Sequence, residues 1–150
     1  MHTPLISRFV VALLVAVSLL ACSSKQRPQP VPEIPFHESF KGERRLLVVF
    51  DAAPGEALEA QRQLIKAEKP RWRDADLLLL EVVEGQPIVL AGQKMQVPQG
   101  ADLRTALHAP SGRFTAVLVG LDGTEKLRED APISVETLIT ADPLARQDTP

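Results

Sequence analysis

The first apolar run of the chain lies near its amino terminus and is followed at once by polar residues. Phe9–Leu20 is apolar except for Ser18 and follows the positive charge of Arg8. A helix that crosses a bilayer needs about 20 apolar residues, so this run is too short to span. Its length is typical of a secretory signal core. The pattern therefore predicts a signal peptide over residues 1–21.

Prolines dominate the polar segment that follows. Residues 22–40 contain Pro28, Pro30, Pro32 and Pro35. Proline fixes its own φ angle and biases the preceding residue towards extended backbone, which disfavours both helices and central strands. We therefore interpret residues 22–40 as a semi-rigid linker and assign residues 41–150 to one small domain.

The first half of that domain alternates between buried strands and an amphipathic helix. Residues 44–50, RRLLVVF, and the run from Ala75, ADLLLLEVVEG, are continuous apolar segments typical of strands covered on both faces. Between them, residues 54–69 carry apolar residues at helical spacing, with Gln61 on the same side. A strand, helix, strand order predicts two parallel strands.

The second half has a different rhythm, with shorter elements. The residue pattern predicts a weak hairpin around Ala91-Gly92, a short helix with Leu103, Ala106 and Leu107 inward, a strand, a turn at Asp122-Gly123 and a closing helix capped by Ser134. The predicted elements span residues 87–97 for the hairpin, 101–109 for the helix, 114–120 for the strand with 124–129 as its antiparallel neighbour, and 133–141 for the last helix.

Composition then excludes some function classes. The net charge is −2, from 17 basic and 19 acidic residues without long blocks, and aromatics make up 4% of the chain. Such a balance predicts no nucleic-acid partner. His37 and His108 have no ligand-spaced neighbour, so we predict no metal and no cofactor. The basic stretch around Trp72, residues 66–73, is interpreted as a solvated loop with Trp72 packed beneath it.

The single cysteine of the chain follows the apolar run directly. Leu19-Leu20-Ala21-Cys22 resembles the lipobox of bacterial lipoproteins. The resemblance implies cleavage after Ala21 and a lipid on Cys22, which would anchor a periplasm-facing protein in the cell envelope membrane. Ser23, where inner-membrane lipoproteins often carry Asp, favours the outer membrane. An ordinary signal peptide with an incidental cysteine is the alternative.

The order of elements resembles the thioredoxin fold, which implies an α/β mixed sheet flanked by helices. Thioredoxins carry Cys-x-x-Cys after the first strand, where this chain reads Asp51-Ala52-Ala53-Pro54-Gly55, and the proline before the third strand is replaced by Gly112-Arg113. Disulfide exchange is therefore not expected.

Four segments are similar to a thioredoxin-like family of unknown function, found in bacterial envelope proteins and in animal extracellular proteins of the sushi-repeat type. That family implies no catalytic residues. The similar segments are RRLLVVFDAAP at 44–54, QRQL at 61–64, RDADLLLLEV at 73–82 and FTAVLVGLDGTEKLR at 114–128.

Two functions of different classes remain open from the sequence. The first is a redox-inactive, lipid-anchored interaction module that presents Asp51, Pro54 and Arg113 to an envelope protein or ligand. The second is an enzyme or redox accessory protein that uses an unrecognised site without cysteine. The first is preferred because the fold is retained without its thiols.

Overall fold

A computed structural model describes residues 36–95 and 100–143. The chain divides into two units, Met1–Glu33 and Ile34–Pro150, and every described residue belongs to the second. The predicted signal peptide, Cys22, most of the linker and the end of the predicted hairpin lie outside the described residues. None of the helices in the described ranges is long and apolar enough to cross a bilayer.

The described ranges contain a mixed sheet with helices on both faces. A 3-10 helix, Phe36–Phe40, precedes the first strand. The strands are β1 Arg45–Asp51, β2 Leu77–Val83, β3 Val89–Leu90, β4 Gln93–Lys94, β5 Thr115–Val119 and β6 Glu125–Glu129. The helices are α1 Glu56–Ala67, α2 Lys69–Asp74, α3 Gly100–Ala106 and α4 Val135–Ala141.

The six strands lie in the order β4-β3-β2-β1-β5-β6. β1 and β2 are parallel, as the strand, helix, strand pattern predicts, and each other neighbouring pair is antiparallel. The hairpin around Ala91-Gly92 and the antiparallel β5–β6 pair form as predicted. The α/β mixed sheet flanked by helices is therefore confirmed.

β1 is the centre of the sheet because both of its faces are covered. Leu47 and Val49 pack under α1, α2 and α4, while Leu46, Val48 and Phe50 pack on the opposite face beside α3. A strand buried on both faces requires a continuous apolar run, which is the pattern seen in its sequence.

The predicted helix over residues 54–69 is shorter in the structure and is followed by a second helix. Gly55 is the N-cap of α1, so Pro54 precedes the helix instead of lying in its first turn. Pro70 lacks the N–H that a continuing helix would use, and the chain starts α2 with this proline in its first turn.

The structure corrects the interpretation of residues 66–73 as a loop, because most of them are helical. Lys69–Asp74 forms α2, and Lys66 lies in the last turn of α1. Trp72 is 7% exposed, so its predicted burial is confirmed. The helix places Trp72 inward and the charged side chains around it outward.

Two further details differ from the sequence prediction. Leu103 and Leu107 are buried as predicted, but Ala106 is exposed because the short helix α3 ends there. Residues 36–40, assigned to the linker, form the 3-10 helix, whose Phe36 and Phe40 pack against the core cluster beside α3. Residues 36–40 therefore pack with the domain, although the sequence pattern assigned them to the linker.

A buried glutamine joins α1 to the segment before α4. The Gln61 side chain is fully buried; its Nε2 donates to the Ile133 carbonyl at 2.9 Å, and its Oε1 accepts from the Ile133 N–H at 2.7 Å. The amide thus pairs with both backbone polar groups of Ile133, a residue that lies outside the strands. Ser134 then caps α4 by accepting from the Thr137 N–H, as predicted.

Replacing Gln61→Leu should lower the free energy of unfolding by about 2–3 kcal/mol, because it leaves the buried N–H and carbonyl of Ile133 without partners. Urea unfolding measures this loss. Gln63→Leu is the matched control, since Gln63 is exposed on the same helix and bonds only to Glu59, also exposed. Equal losses in the two variants would contradict the role given to the buried amide.

Candidate functional site

Three loops meet at one edge of the sheet, which we call the carboxyl edge. β1 and β2 are parallel and in register, so Asp51 and Val83 end side by side. β5 runs the opposite way and begins beside Phe50, which brings the loop of residues 107–114 to the same edge. Ligands of open α/β sheets commonly bind outside the carboxyl ends of the strands.

Asp51 is held by local and cross-loop hydrogen bonds. Its side-chain Oδ1 accepts from the N–H of Ala52 at 2.8 Å, and its carbonyl accepts from the N–H of Glu84 at 3.1 Å. The side chain is half-buried. Asp51 therefore shapes the turn between β1 and α1, the position where thioredoxins carry their first cysteine.

Arg104 lies between the three loops and connects them. Its guanidinium donates to the carbonyls of Pro110 and Asp51 and lies 3.5 Å from Glu84 Oε1. It also stacks over the Phe50 ring, 5.1 Å from the centroid. The side chain is only 11% exposed, so this cation is largely removed from water and is held by partners from each loop.

Glu84 extends the same network. Its Oε1 accepts from the N–H of Gly112 at 2.9 Å, while its own N–H bonds to Asp51. Gly112 has φ +77°, a conformation that favours glycine. The loops after β1 and β2 and before β5 are thus joined to one another through Glu84 and Arg104.

An open groove of about 650 Å³ lies beside this network. Arg113 and Asp130 both line it and form an ion pair at 3.3 Å, and both side chains are more than half exposed. Arg128 donates to the Leu107 carbonyl and to Glu125. That guanidinium lowers the pKa of the Glu125 carboxyl below its ordinary value. The groove therefore presents fixed charges of both signs.

The structure brings the three predicted face residues to the same edge but not into one pocket. Arg113 lines the groove, whereas Asp51 and Pro54 belong to the neighbouring β1–α1 loop and do not line it. His108, predicted near a helix end, lies just after α3 with φ +49°, and its N–H donates to the Thr105 carbonyl. His108 thus contacts a helix carbonyl through its backbone N–H.

Sequence reasoning missed Arg104 and Glu84. Arg104 lies beside Leu103 on a short helix, where charge alone predicts an exposed side chain. The one sequence signal for its burial is that it lies next to Leu103, on the border of the buried helix face that Leu103 and Leu107 mark. In residues 36–95 and 100–143, no group of three or more His, Cys, Asp or Glu is placed to hold a metal ion.

The sequence of this domain matches a known protein family. The family model described as Domain of unknown function (DUF4174) matches residues 36–141. The chain belongs to this family. The match to DUF4174 begins at the residue where the packed 3-10 helix begins. No curated protein and no solved structure matches the chain significantly. The predicted resemblance to a family of unknown function is confirmed at this level.

The lipobox and the relationship to animal sushi-repeat proteins stay predictions. The DUF4174 match begins after Cys22 and covers neither the apolar run nor the linker up to residue 35. Within the matched range, the β1–α1 loop contains no cysteine.

Arg104→Met should loosen the carboxyl edge. The substitution keeps a long apolar stem over Phe50 but removes the donors to Pro110 and Asp51, so we expect a loss of about 1–3 kcal/mol in unfolding free energy. Hydrogen exchange should quicken at the amides of Glu84 and Gly112. Arg113→Met, exposed on the same edge, is the control and should cost less than about 0.5 kcal/mol. Unchanged exchange at both amides would contradict the network.

Proposed function

We propose that this chain is a lipid-anchored protein of the bacterial cell envelope, whose DUF4174 domain is a redox-inactive module that binds an envelope protein through its carboxyl edge. The observation that carries the proposal is the Arg104 network. A largely buried cation has partners in all three loops of this edge. Loops that are ordered before binding lose less entropy when a partner docks.

The exposed groups on this edge suit a protein partner. Pro54 is exposed in the β1–α1 loop, and Arg113 and Asp130 are 59% and 54% exposed. An ion pair in water contributes little to stability, so both charges are available to exchange partners at an interface. A groove with both signs of charge favours specificity through complementary pairs.

The domain contains no cysteine that could carry out thiol chemistry. The single cysteine of the chain is Cys22, which lies before the DUF4174 match. The turn that carries a catalytic cysteine in thioredoxins is here closed by Asp51, whose carboxylate accepts a backbone N–H. This supports a binding role for the edge over disulfide exchange.

The proposed anchor agrees with the placement of the domain in the chain. Thirteen residues, 23–35, separate Cys22 from Phe36. At about 3.1 Å per residue in an extended proline-rich chain, they reach roughly 40 Å. Two or more acyl chains on Cys22 hold a protein at a membrane far more durably than one. The domain would then face the periplasm, with the outer membrane favoured by Ser23.

Cys22→Ser should abolish lipid attachment. A cell expressing the wild-type chain with a clickable palmitate analogue should label it, whereas the serine variant should remain an unlabelled precursor, because serine lacks the nucleophilic sulfur. Cys22→Ala is a second variant with the same expected result. Equal label in wild type and both variants would defeat the anchor, while leaving the binding role of the edge intact.

Photo-crosslinking in intact cells tests the binding face. With a benzophenone amino acid at the position of Pro54 or Arg113, both sites should capture the same partner protein. The matched control is the position of Gln63, which is exposed on α1 away from the carboxyl edge. Arg113→Glu should reduce the adduct formed at position 54 at least fivefold. Equal capture from position 63, or no specific adduct at either edge site, would overturn the proposed face.

A further inference from the structure

A second groove, about 520 Å³, lies at the opposite end of the parallel strands, where β1 and β2 begin. We call it the basic groove. α1, α2 and the start of β2 line it, together with the turn at Ala91-Gly92. It does not include the carboxyl edge, and neither the DUF4174 assignment nor the proposed function accounts for it.

The floor of the basic groove is apolar. Ile65 of α1, Trp72 of α2, and Leu77 and Leu79 of β2 contribute to it. β3 pairs with β2 only at Leu80 and Glu81, and the turn beyond it reaches the Leu79 carbonyl. Among the described residues β1 is the only strand beside the first residues of β2, so this apolar surface stays open on the side away from β1.

The rim of the groove is basic. Among the described residues, five cations and no carboxylate line it, although the whole chain has a net charge of −2. The rim cations are Arg44, Arg62, Lys66, Lys69 and Arg73.

The rim cations differ in their partners. Arg44 pairs with Asp76 at 3.0 Å. Arg62 of α1 forms a bidentate pair with Glu81 of β2. Lys66, Lys69 and Arg73 have no ion pair with any residue in the described ranges. These three cations beside an apolar floor thus have no carboxylate partner among the described residues.

We infer that the basic groove binds one monomeric anionic amphiphile, a single alkyl chain with a carboxylate head. The chain would lie on Trp72, Leu77 and Leu79, and the head between Lys66, Lys69 and Arg73. Apolar sites with a few convergent charged groups and a volume of about 300–1,000 Å³ are typical of small-ligand pockets. A groove of this volume fits one chain, whereas a two-chain phospholipid is larger.

Other anionic partners suit the groove less well. Nucleic acid binds through phosphates in series and through several aromatic faces, whereas Trp72 is the one aromatic residue among the described residues that line the groove. A flat anionic membrane surface would attract the cations but would leave the apolar floor without a partner. The indole, the aliphatic floor and the three cations that have no ion pair within the described ranges together match an amphiphile.

The single tryptophan makes the inference directly measurable. Trp72 is the only Trp in the chain and there is no Tyr, so intrinsic fluorescence reports on the floor of this groove. The probe is a fatty acid with bromine atoms on its alkyl chain, which quench an indole in contact. The protein is the unlipidated chain Ser23–Pro150, which retains the whole unit Ile34–Pro150.

Saturable quenching of Trp72 below the micelle concentration of the probe is the expected result. The brominated alcohol of equal chain length, which lacks the negative head, should bind at least tenfold more weakly. Lys66→Gln, Lys69→Gln and Arg73→Gln together should also weaken the fatty acid at least tenfold. The matched control removes three cations that do not line the groove, Lys41→Gln, Lys94→Gln and Lys126→Gln, and should keep the wild-type affinity.

Four outcomes would overturn the inference. Absence of quenching below the micelle concentration would exclude the site, and equal loss in the two triple variants would show attraction by overall charge alone. Equal binding of the alcohol would remove the role of the cations. Quenching by brominated anionic phospholipid vesicles but not by the monomer would make this a membrane-contact surface. None of these outcomes depends on lipid at Cys22 or on a partner at the carboxyl edge.

Discussion

The burial of β1 on both faces is the constraint on which the rest of the structure depends. Because apolar side chains point alternately into two core layers, helices must cover the sheet above and below. The strand begins at Arg45, whose guanidinium is 1% exposed and lies 3.0 Å from Asp142 at the end of α4. It ends at Asp51, where three loops converge. The two ends of this strand therefore position the Arg45–Asp142 ion pair and the three loops of the carboxyl edge.

Buried polar groups fix what the apolar layers leave undetermined. Apolar contact is non-directional, so it holds α1 and α4 against the sheet without fixing their register. The Gln61 amide pairs with the N–H and the carbonyl of Ile133 and fixes that register between two distant segments. Arg104 does the same for the loops at the carboxyl edge. In each case, a buried polar group is stable only in the arrangement that provides all of its partners.

The two grooves differ in chemistry because they lie at different ends of the sheet. At the carboxyl edge, Arg113 and Asp130 present both charges beside loops already joined by hydrogen bonds. At the other end, α2 turns Trp72 inward, and lysines and arginines line a groove with an apolar floor. We therefore propose a protein partner for the first surface and a small amphiphile for the second. The domain, which contains no cysteine, thus has two distinct candidate binding surfaces, the carboxyl edge and the basic groove.

Periodicity along the chain by itself determined most of the elements, the parallel pair, the β5–β6 hairpin and the Ser134 cap, because those depend on local spacing. The composition of residues 66–73 did not reveal α2, since Pro70 both ends one helix and starts another. Arg104 and Glu84 were not predicted as a network, and the cations of the basic groove appeared only as a charged loop. The tertiary structure decided these features because their partners lie on separate loops and helices. Which charges meet is set by how the layers pack, and that is not encoded in any single stretch of sequence.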